Sequence, residues 1–219
     1  MSIWSDEEIA QRIAQDVDES WLVNVGIGMP QIAVEPLNQR GIMLHSENGI
    51  IGLGPSPAPG REDPEVIDAG KGFATVVDGG SFIDSATSFM LIRGGRLGLA
   101  LMGAYEVSVN GDLANWRLSG RKIAGIGGAA DLAFGAARVW IVTSLFSNDG
   151  KSKLVHSCSH PLTAPGVVKR IYTEHGIFEP AGDSFRVVSL PEGMSAEELF
   201  EKGVPISIEA LSPRRSSHA

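Results

Sequence analysis

Leu97-Gly98-Leu99-Ala100-Leu101-Met102-Gly103-Ala104 runs through eight residues without a charge. A run like this suits a strand buried on both faces, as in the centre of a parallel sheet covered by helices. Val139-Trp140-Ile141-Val142-Thr143-Ser144-Leu145 reads the same way.

Outward from these two strands, helical and extended patterns alternate. Ser5 and Glu8 stand at capping-box spacing, where each side chain can satisfy a free N–H at a helix start. Ile9, Ile13 and Val17 then recur every four residues, which predicts an amphipathic helix over 6–19. Trp21 to Ile27 predicts a strand that runs into Gly26-Ile27-Gly28, and Met29-Pro30 opens a short helix. Ile42 to His45 predicts a short strand, then Ser46-Glu47-Asn48-Gly49 and a Gly/Pro-rich loop from Gly52 to Gly60. Thr75 to Val77 reads as a strand ending at Gly79-Gly80. Phe82 to Ile92 reads as a helix stopped by Gly94-Gly95. Ile123 to Gly128 leads into a helix near 129–134, and Phe185 to Leu190 is a late strand. Ser195 and Glu198 form a second capping box. The alternation implies an α/β fold: an open, largely parallel sheet with flanking helices. Residues 1–210 read as one domain and 211–219 as a disordered tail.

Composition narrows the function. Net charge is −8 and the pI is about 5.1, against the basic face of a nucleic-acid binder. Arg214-Arg215, a local basic pair, lies in the Ser-rich tail. A single cysteine, Cys158, excludes an intrachain disulfide framework. The amino terminus is acidic where a signal peptide needs basic residues, and no apolar run approaches the ~18 residues of a membrane span. A cytoplasmic protein with no membrane or nucleic-acid partner is expected. Glycine makes up roughly 12% of the chain against a usual ~7%, which points to tight turns and close backbone approaches.

Ligands of open α/β sheets sit beyond the carboxyl ends of the strands, so strand ends that meet glycines are the places to search. Glu47 follows a strand and precedes Gly49, Gly52 and Gly54, which would let a bulky ligand approach the backbone through a flexible loop. A carboxylate can attack an activated acyl group to form a mixed anhydride. Glutamate ordinarily ionises near ~4.3, so it needs no adjacent base. A solvated turn glutamate is the plainer alternative. Gly125-Ile126-Gly127-Gly128-Ala129-Ala130-Asp131 places glycines before a helix start, where free N–H groups suit an anion or developing oxyanion. It lacks the dinucleotide spacing, and a structural turn explains it equally well. Asp131 would support that turn. Gly26 and Gly28 mark either a ligand-facing turn or close packing of helix on sheet. His156, Cys158 and His160 alternate as if on one face of a strand, but they lack zinc-site spacing and no other ligands converge, so no metal site is expected. His45 and His175 carry no motif.

Taken together, these segments resemble the B (beta) chain of a class I 3-oxoacid CoA-transferase. The matching stretches are SENGIIGLGP at 46–55, EDPEVIDAGK at 62–71, GGAADLAFGAARVWIV at 127–142 and CSHPLTAPGVVKRIYTEHGIFE at 158–179. The likeness runs from about residue 6 to residue 206, and the SENG block is highly specific in that setting. GDLANWR at 111–117 resembles beta chains that act on 3-oxoadipate or acetoacetate, and the Gly54–Gly60 stretch resembles those that act on 3-oxoadipate with succinyl-CoA as donor. Departures fall at Ala130, where relatives commonly carry Met, at Ser144–Ser147, and at His160. They bear on the choice of acid and leave the Glu47 block untouched.

The resemblance implies that Glu47 is the nucleophile and passes through a glutamyl-CoA thioester. It implies that Gly127, Gly128 and Ala129 form the oxyanion and CoA-binding turn, with Asn48, Gly49, Gly26 and Gly28 near substrate. It implies no permanently bound cofactor, coenzyme A thioesters as substrates, and a hetero-oligomer in which an alpha (A) chain supplies a second oxyanion donor. Two other functions share the pattern: an acyl-CoA hydrolase on the same fold, and a non-catalytic ligand-sensing domain.

Overall fold

A computed structural model describes residues 2–118 and 127–207. The predicted tail, Arg214-Arg215 and the 123–126 part of the glycine segment lie outside the described residues. Helix α1 is Asp6–Asp16 and strand β1 is Val23–Val25. A 3-10 helix, Met29–Ala33, leads into α2, Val34–Gln39. Then come β2 (Leu44–Ser46), β3 (Ile50–Leu53), β4 (Val76–Phe82) and α3 (Ser85–Arg93). β5 (Leu99–Met102), β6 (Glu106–Ser108) and β7 (Leu113–Ala114) precede α4 (Ala129–Gly135) and β8 (Val139–Val142). β9 (Leu154–Val155), β10 (Val168–Thr173), β11 (Gly176–Pro180), β12 (Phe185–Ser189) and α5 (Ala196–Glu201) complete the order.

Nine strands form one sheet in the order β12-β11-β10-β8-β5-β1-β2-β3-β4. The five central strands, β10 to β2, pair in parallel. Antiparallel pairs flank them on both sides: β2–β3–β4 at one edge, β10–β11–β12 at the other. A smaller sheet has the order β7-β6-β9.

The apolar runs are double-sided, as their composition requires. Leu99 and Leu101 join one core cluster with Trp140 and Val142, while Ala100 and Met102 join the other with Val139 and Ile141. On the first face lies α1 through Ile9 and Ile13. On the second lie α3 through Ile92, α4 through Leu132 and α5 through Leu199. Val107, Leu113 and Leu154 of the small sheet also pack into the second cluster. Both capping boxes form, at Ser5/Glu8 and Ser195/Glu198.

Several predicted boundaries move, and α1 ends at Asp16 rather than at 19. Strand β4 does not stop at Gly79-Gly80. It passes through Gly79 at φ +82 and continues to Phe82. Helix α3 therefore starts at Ser85, capped by Asp84, whose side chain accepts from the Thr87 N–H at 2.9 Å. Among the described residues, no helix is long and apolar enough to cross a membrane.

Candidate active site

Glu47 is the first residue after β2, at its carboxyl end, in the turn to β3. β1 lies between β2 and β5, so the chain builds outward in opposite directions from β1. Crevices at such reversals are where open α/β sheets bind ligands.

The Glu47 side chain is half-buried and held from behind. Asn24 on β1 pairs in register with His45 on β2, and both are fully buried. The Asn24 Nδ2 donates toward Glu47 Oε2 at 3.3 Å, with His45 Nδ1 at 3.0 Å and His45 O at 3.2 Å. Three acceptors around one nitrogen fix the orientation of the amide, since a flipped oxygen would face all three. His45 Nδ1 must then be unprotonated, and its proton sits on Nε2, 2.9 Å from Ser88 Oγ. Ser88 in turn donates to the backbone carbonyl of Glu47 at 2.9 Å. Burial pushes the His45 imidazole down to about 4, in keeping with a neutral ring.

The glycine turn meets Glu47 from the other side. A Cβ on Gly128 would stand 3.6 Å from Glu47 Cγ and 3.1 Å from Phe89 Cζ. Gly127 has φ +54, and Gly128 is the residue just before α4. The first-turn N–H groups of a helix have no partner within it. Asp131, in the first turn of α4, accepts from Arg93 Nε of α3 at 2.7 Å and so ties the turn to the helix that carries Ser88.

Close packing accounts for most of the other glycines. Residues 47–49 form a tight hairpin turn, with Ser46 opposite Ile50, so the expected Gly/Pro-rich loop begins only after β3, at Gly54. Gly49 has φ +122, and a Cβ there would sit 2.1 Å from the Ile83 carbonyl oxygen. A Cβ on Gly52 would meet Gly80 Cα at 2.8 Å, and one on Gly54 would meet Thr75 Oγ1 at 2.3 Å. All three glycines let the β4 segment close on the β3 segment, so ligand approach is not what requires them. Gly26 likewise packs on β5: its N–H donates to Leu101 O at 2.8 Å, and its would-be Cβ meets the same oxygen. Gly28 adopts φ +83 in open space, with its N–H on Gln31 Oε1.

Asn48 donates to Ile67 O at 2.7 Å, and Ser46 Oγ accepts from the Ala69 N–H at 3.0 Å. These bonds clip segment 66–74 beside the turn. At its tip Lys71 has φ +67, a backbone conformation that costs a non-glycine residue energy.

His156, Cys158 and His160 do not share a strand face, because β9 ends at Val155. Cys158 Sγ lies 3.7 Å from Asp112 O, and burial with Glu106 and Asp112 nearby pushes the thiol up to about 12. Among the described residues, no group of three or more His, Cys, Asp or Glu side chains is arranged to hold a metal ion.

Asn24 and Ser88 belong to the site without any sequence motif to mark them, and His45 gains a role that its sequence context does not assign. A polar residue at the centre of a β-rich run is the available signal.

Residues 6–202 match the profile of the Coenzyme A transferase family. The chain is 44% identical over 204 residues to the B subunit of the 3-oxoadipate CoA-transferase of Pseudomonas putida, covering 92% of this chain and 96% of that one. It is 42% identical over 196 residues to the B subunit of the succinyl-CoA:3-ketoacid coenzyme A transferase of Helicobacter pylori, covering 90% and 95%. Its fold is similar to the crystal structure of glutaconate coenzyme A-transferase from Acidaminococcus fermentans, with a TM-score of 0.71 at 15% identity over 94% of this chain and 87% of that one. The chain belongs to the coenzyme A transferase family, and its chemistry is the transfer of coenzyme A.

Proposed function

We propose that this chain is the nucleophile-bearing beta chain of a 3-oxoacid CoA-transferase, with succinyl-CoA as donor and 3-oxoadipate or acetoacetate as acceptor. The observation that carries the reading is the placing of Glu47: at a strand's carboxyl end, oriented by Asn24, and packed against the Gly127-Gly128 turn.

A Glu47 oxygen attacks the acyl carbon of the donor. The tetrahedral intermediate collapses by breaking the C–S bond, which leaves an acyl-glutamyl anhydride and CoA thiolate. The thiolate attacks the glutamyl carbon, expels the donor carboxylate and leaves a glutamyl-CoA thioester. The acceptor carboxylate then attacks that carbon, expels the thiolate and forms a second anhydride. Attack of the thiolate on the acceptor's acyl carbon breaks this anhydride, releases the new thioester and restores Glu47. Each intermediate places negative charge on a carbonyl oxygen, which preorganised N–H donors stabilise. The backbone of Gly127, Gly128 and Ala129 supplies one such group. The Asn24 amide, already committed to Glu47 and His45, is not free to be the second.

The relatives named above are themselves one of the lettered chains of their enzymes, which supports a partner alpha chain as the source of the second donor. Residues 1–210 act as one domain of a cytoplasmic assembly, with no resident cofactor or metal. Asn48, Gly49, Gly26 and Gly28 belong to the frame around the substrate and need not touch it.

Glu47→Gln keeps the shape and removes the attacking charge. Loss of transfer by at least about 10³-fold is expected. Borohydride should trap a thioester on Glu47 in the parent protein given succinyl-CoA. A trapped residue other than Glu47 would refute the assignment. Activity should require the partner chain, so full transfer by this chain alone would refute the split site. Turnover that persists without an acceptor acid would identify a hydrolase instead.

A further inference from the structure

Asn24, His45 and Ser88 cut a polar path through a sheet face that is otherwise apolar. On that face β5 and β8 present Ala100, Met102, Val139 and Ile141. Burying an amide or an imidazole that is incompletely paired is unfavourable, so an aliphatic pair in this register would fill the space at less cost. Asn24 and His45, which break the pattern, are cross-strand neighbours beside Glu47. The path also ends on Glu47 twice. Asn24 reaches the carboxylate at 3.3 Å, and Ser88 reaches the backbone carbonyl at 2.9 Å. His45 is the link between them, at 3.0 Å from Asn24 and 2.9 Å from Ser88.

We infer that His45 is a positioning residue for the Glu47 nucleophile, its neutral imidazole locking the carboxylate and the backbone of the same residue through one continuous hydrogen-bonded path. This inference rests on the reading of Glu47 as nucleophile. The imidazole does not serve as a base, because both ring nitrogens are turned to Asn24 and Ser88. It acts by orientation. The carboxylate must attack an acyl carbon, accept attack by thiolate, and then undergo both steps in reverse. A nucleophile free to swing between those steps loses alignment at each one, and a misplacement of about 1 Å can cost 10²-fold in rate.

The test uses the chain assembled with its partner chain and follows succinyl-CoA-dependent transfer to 3-oxoadipate and to acetoacetate. His45→Leu fills the space but removes both bonds; kcat should fall about 10²-fold while KM stays within about threefold. His45→Gln carries an amide oxygen to accept from Asn24 and an amino group to donate to Ser88, so it should recover most of the loss. Ser88→Ala, a small change in a helix, should lower kcat about tenfold with a melting temperature lowered by only a few degrees, and it decides the matter if His45→Leu does not fold. Borohydride trapping is run alongside. Label on another residue in the parent protein overturns both the nucleophile and the positioning. Label on Glu47, with His45→Leu and Ser88→Ala turning over at the parent kcat, overturns the positioning alone.

Discussion

Acidification should weaken this protein through His45, by an amount that can be worked out. The fully buried imidazole titrates at about 4 in the fold against 6.5 when free, and burial is the cause. As pH falls through 6.5 the unfolded chain takes up a proton at residue 45 that the folded chain refuses. The unfolded state therefore gains, and stability falls with pH until the folded imidazole also titrates near 4. Each pH unit of that interval is worth about 1.4 kcal/mol per proton, so the full span amounts to roughly 3 kcal/mol. About 0.8 kcal/mol should be gone by pH 6 and about 2 kcal/mol by pH 5. His45→Gln carries no proton to refuse. Urea unfolding of parent and variant, followed by tryptophan fluorescence at one protein concentration, isolates the effect, because every other titrating group is common to both. The difference in unfolding free energy between parent and variant should shift against the parent by about 2 kcal/mol between pH 7.5 and pH 5. Parallel pH profiles would show that the imidazole is charged, or accessible, in the folded state, and the proton assignment in the buried path would then be wrong.

Three further substitutions separate packing from chemistry. Gly49→Ala puts a Cβ 2.1 Å from the Ile83 carbonyl at φ +122, so it should cost roughly 2–4 kcal/mol in thermal unfolding; an unchanged melting temperature would return Gly49 to a ligand-facing role. Gly128→Val needs no strained φ, since Gly128 sits at −82, but its side chain intrudes on Phe89 and Glu47. Transfer should fall by the equivalent of a few kcal/mol with a smaller loss of stability, and the reverse pattern would make the turn structural. Cys158→Ala should leave transfer intact, and the native thiol, pushed up to about 12, should resist alkylation at pH 8; rapid modification, or a stoichiometric equivalent of zinc lost with His156→Ala, would reopen a chemical role for the segment.

The centre of the fold is legible in sequence because its strands are buried on both sides. No solvent face interrupts Leu99–Met102 or Val139–Val142, so the runs stand out without any knowledge of the partners. The antiparallel margins are legible only in part: β12 and the start of β4 read as strands, but β3, β10 and β11 do not, for a local reason. β10 and β11 pair Thr173 with Gly176 across Glu174-His175, a dipeptide without the Asn-Gly or Asp-Gly signal of tight hairpins. The Thr173 hydroxyl closes this turn, donating to Gly176 O at 3.0 Å and accepting from the His175 N–H at 3.1 Å. At β2–β3 the Asn48-Gly49 signal is present. It reads as a loop for ligand because the glycines that follow suggest open backbone. They are there for the opposite reason, to let β4 come within contact.

The site divides along a similar line. Glu47 is marked in sequence by its place at a strand end, and the likeness of its SENG block to the family is what sets it above a solvated turn glutamate as the proposed nucleophile. What orients it is not local. Asn24 and His45 are separated by 21 positions, and His45 and Ser88 by 43, so only the parallel pairing of β1 with β2 and the seating of α3 make them a unit. A lone asparagine in VNV, or a histidine in LHS, reads as a fault in an apolar strand. Sheet register turns the two faults into one hydrogen-bonded pair, and burial makes that pair costly unless it is used. The same burial that hides the network from a one-dimensional reading gives it value behind Glu47: an imidazole kept neutral by burial holds both of its hydrogen bonds at neutral pH, and so keeps the geometry that the proposed acylation of the carboxylate needs.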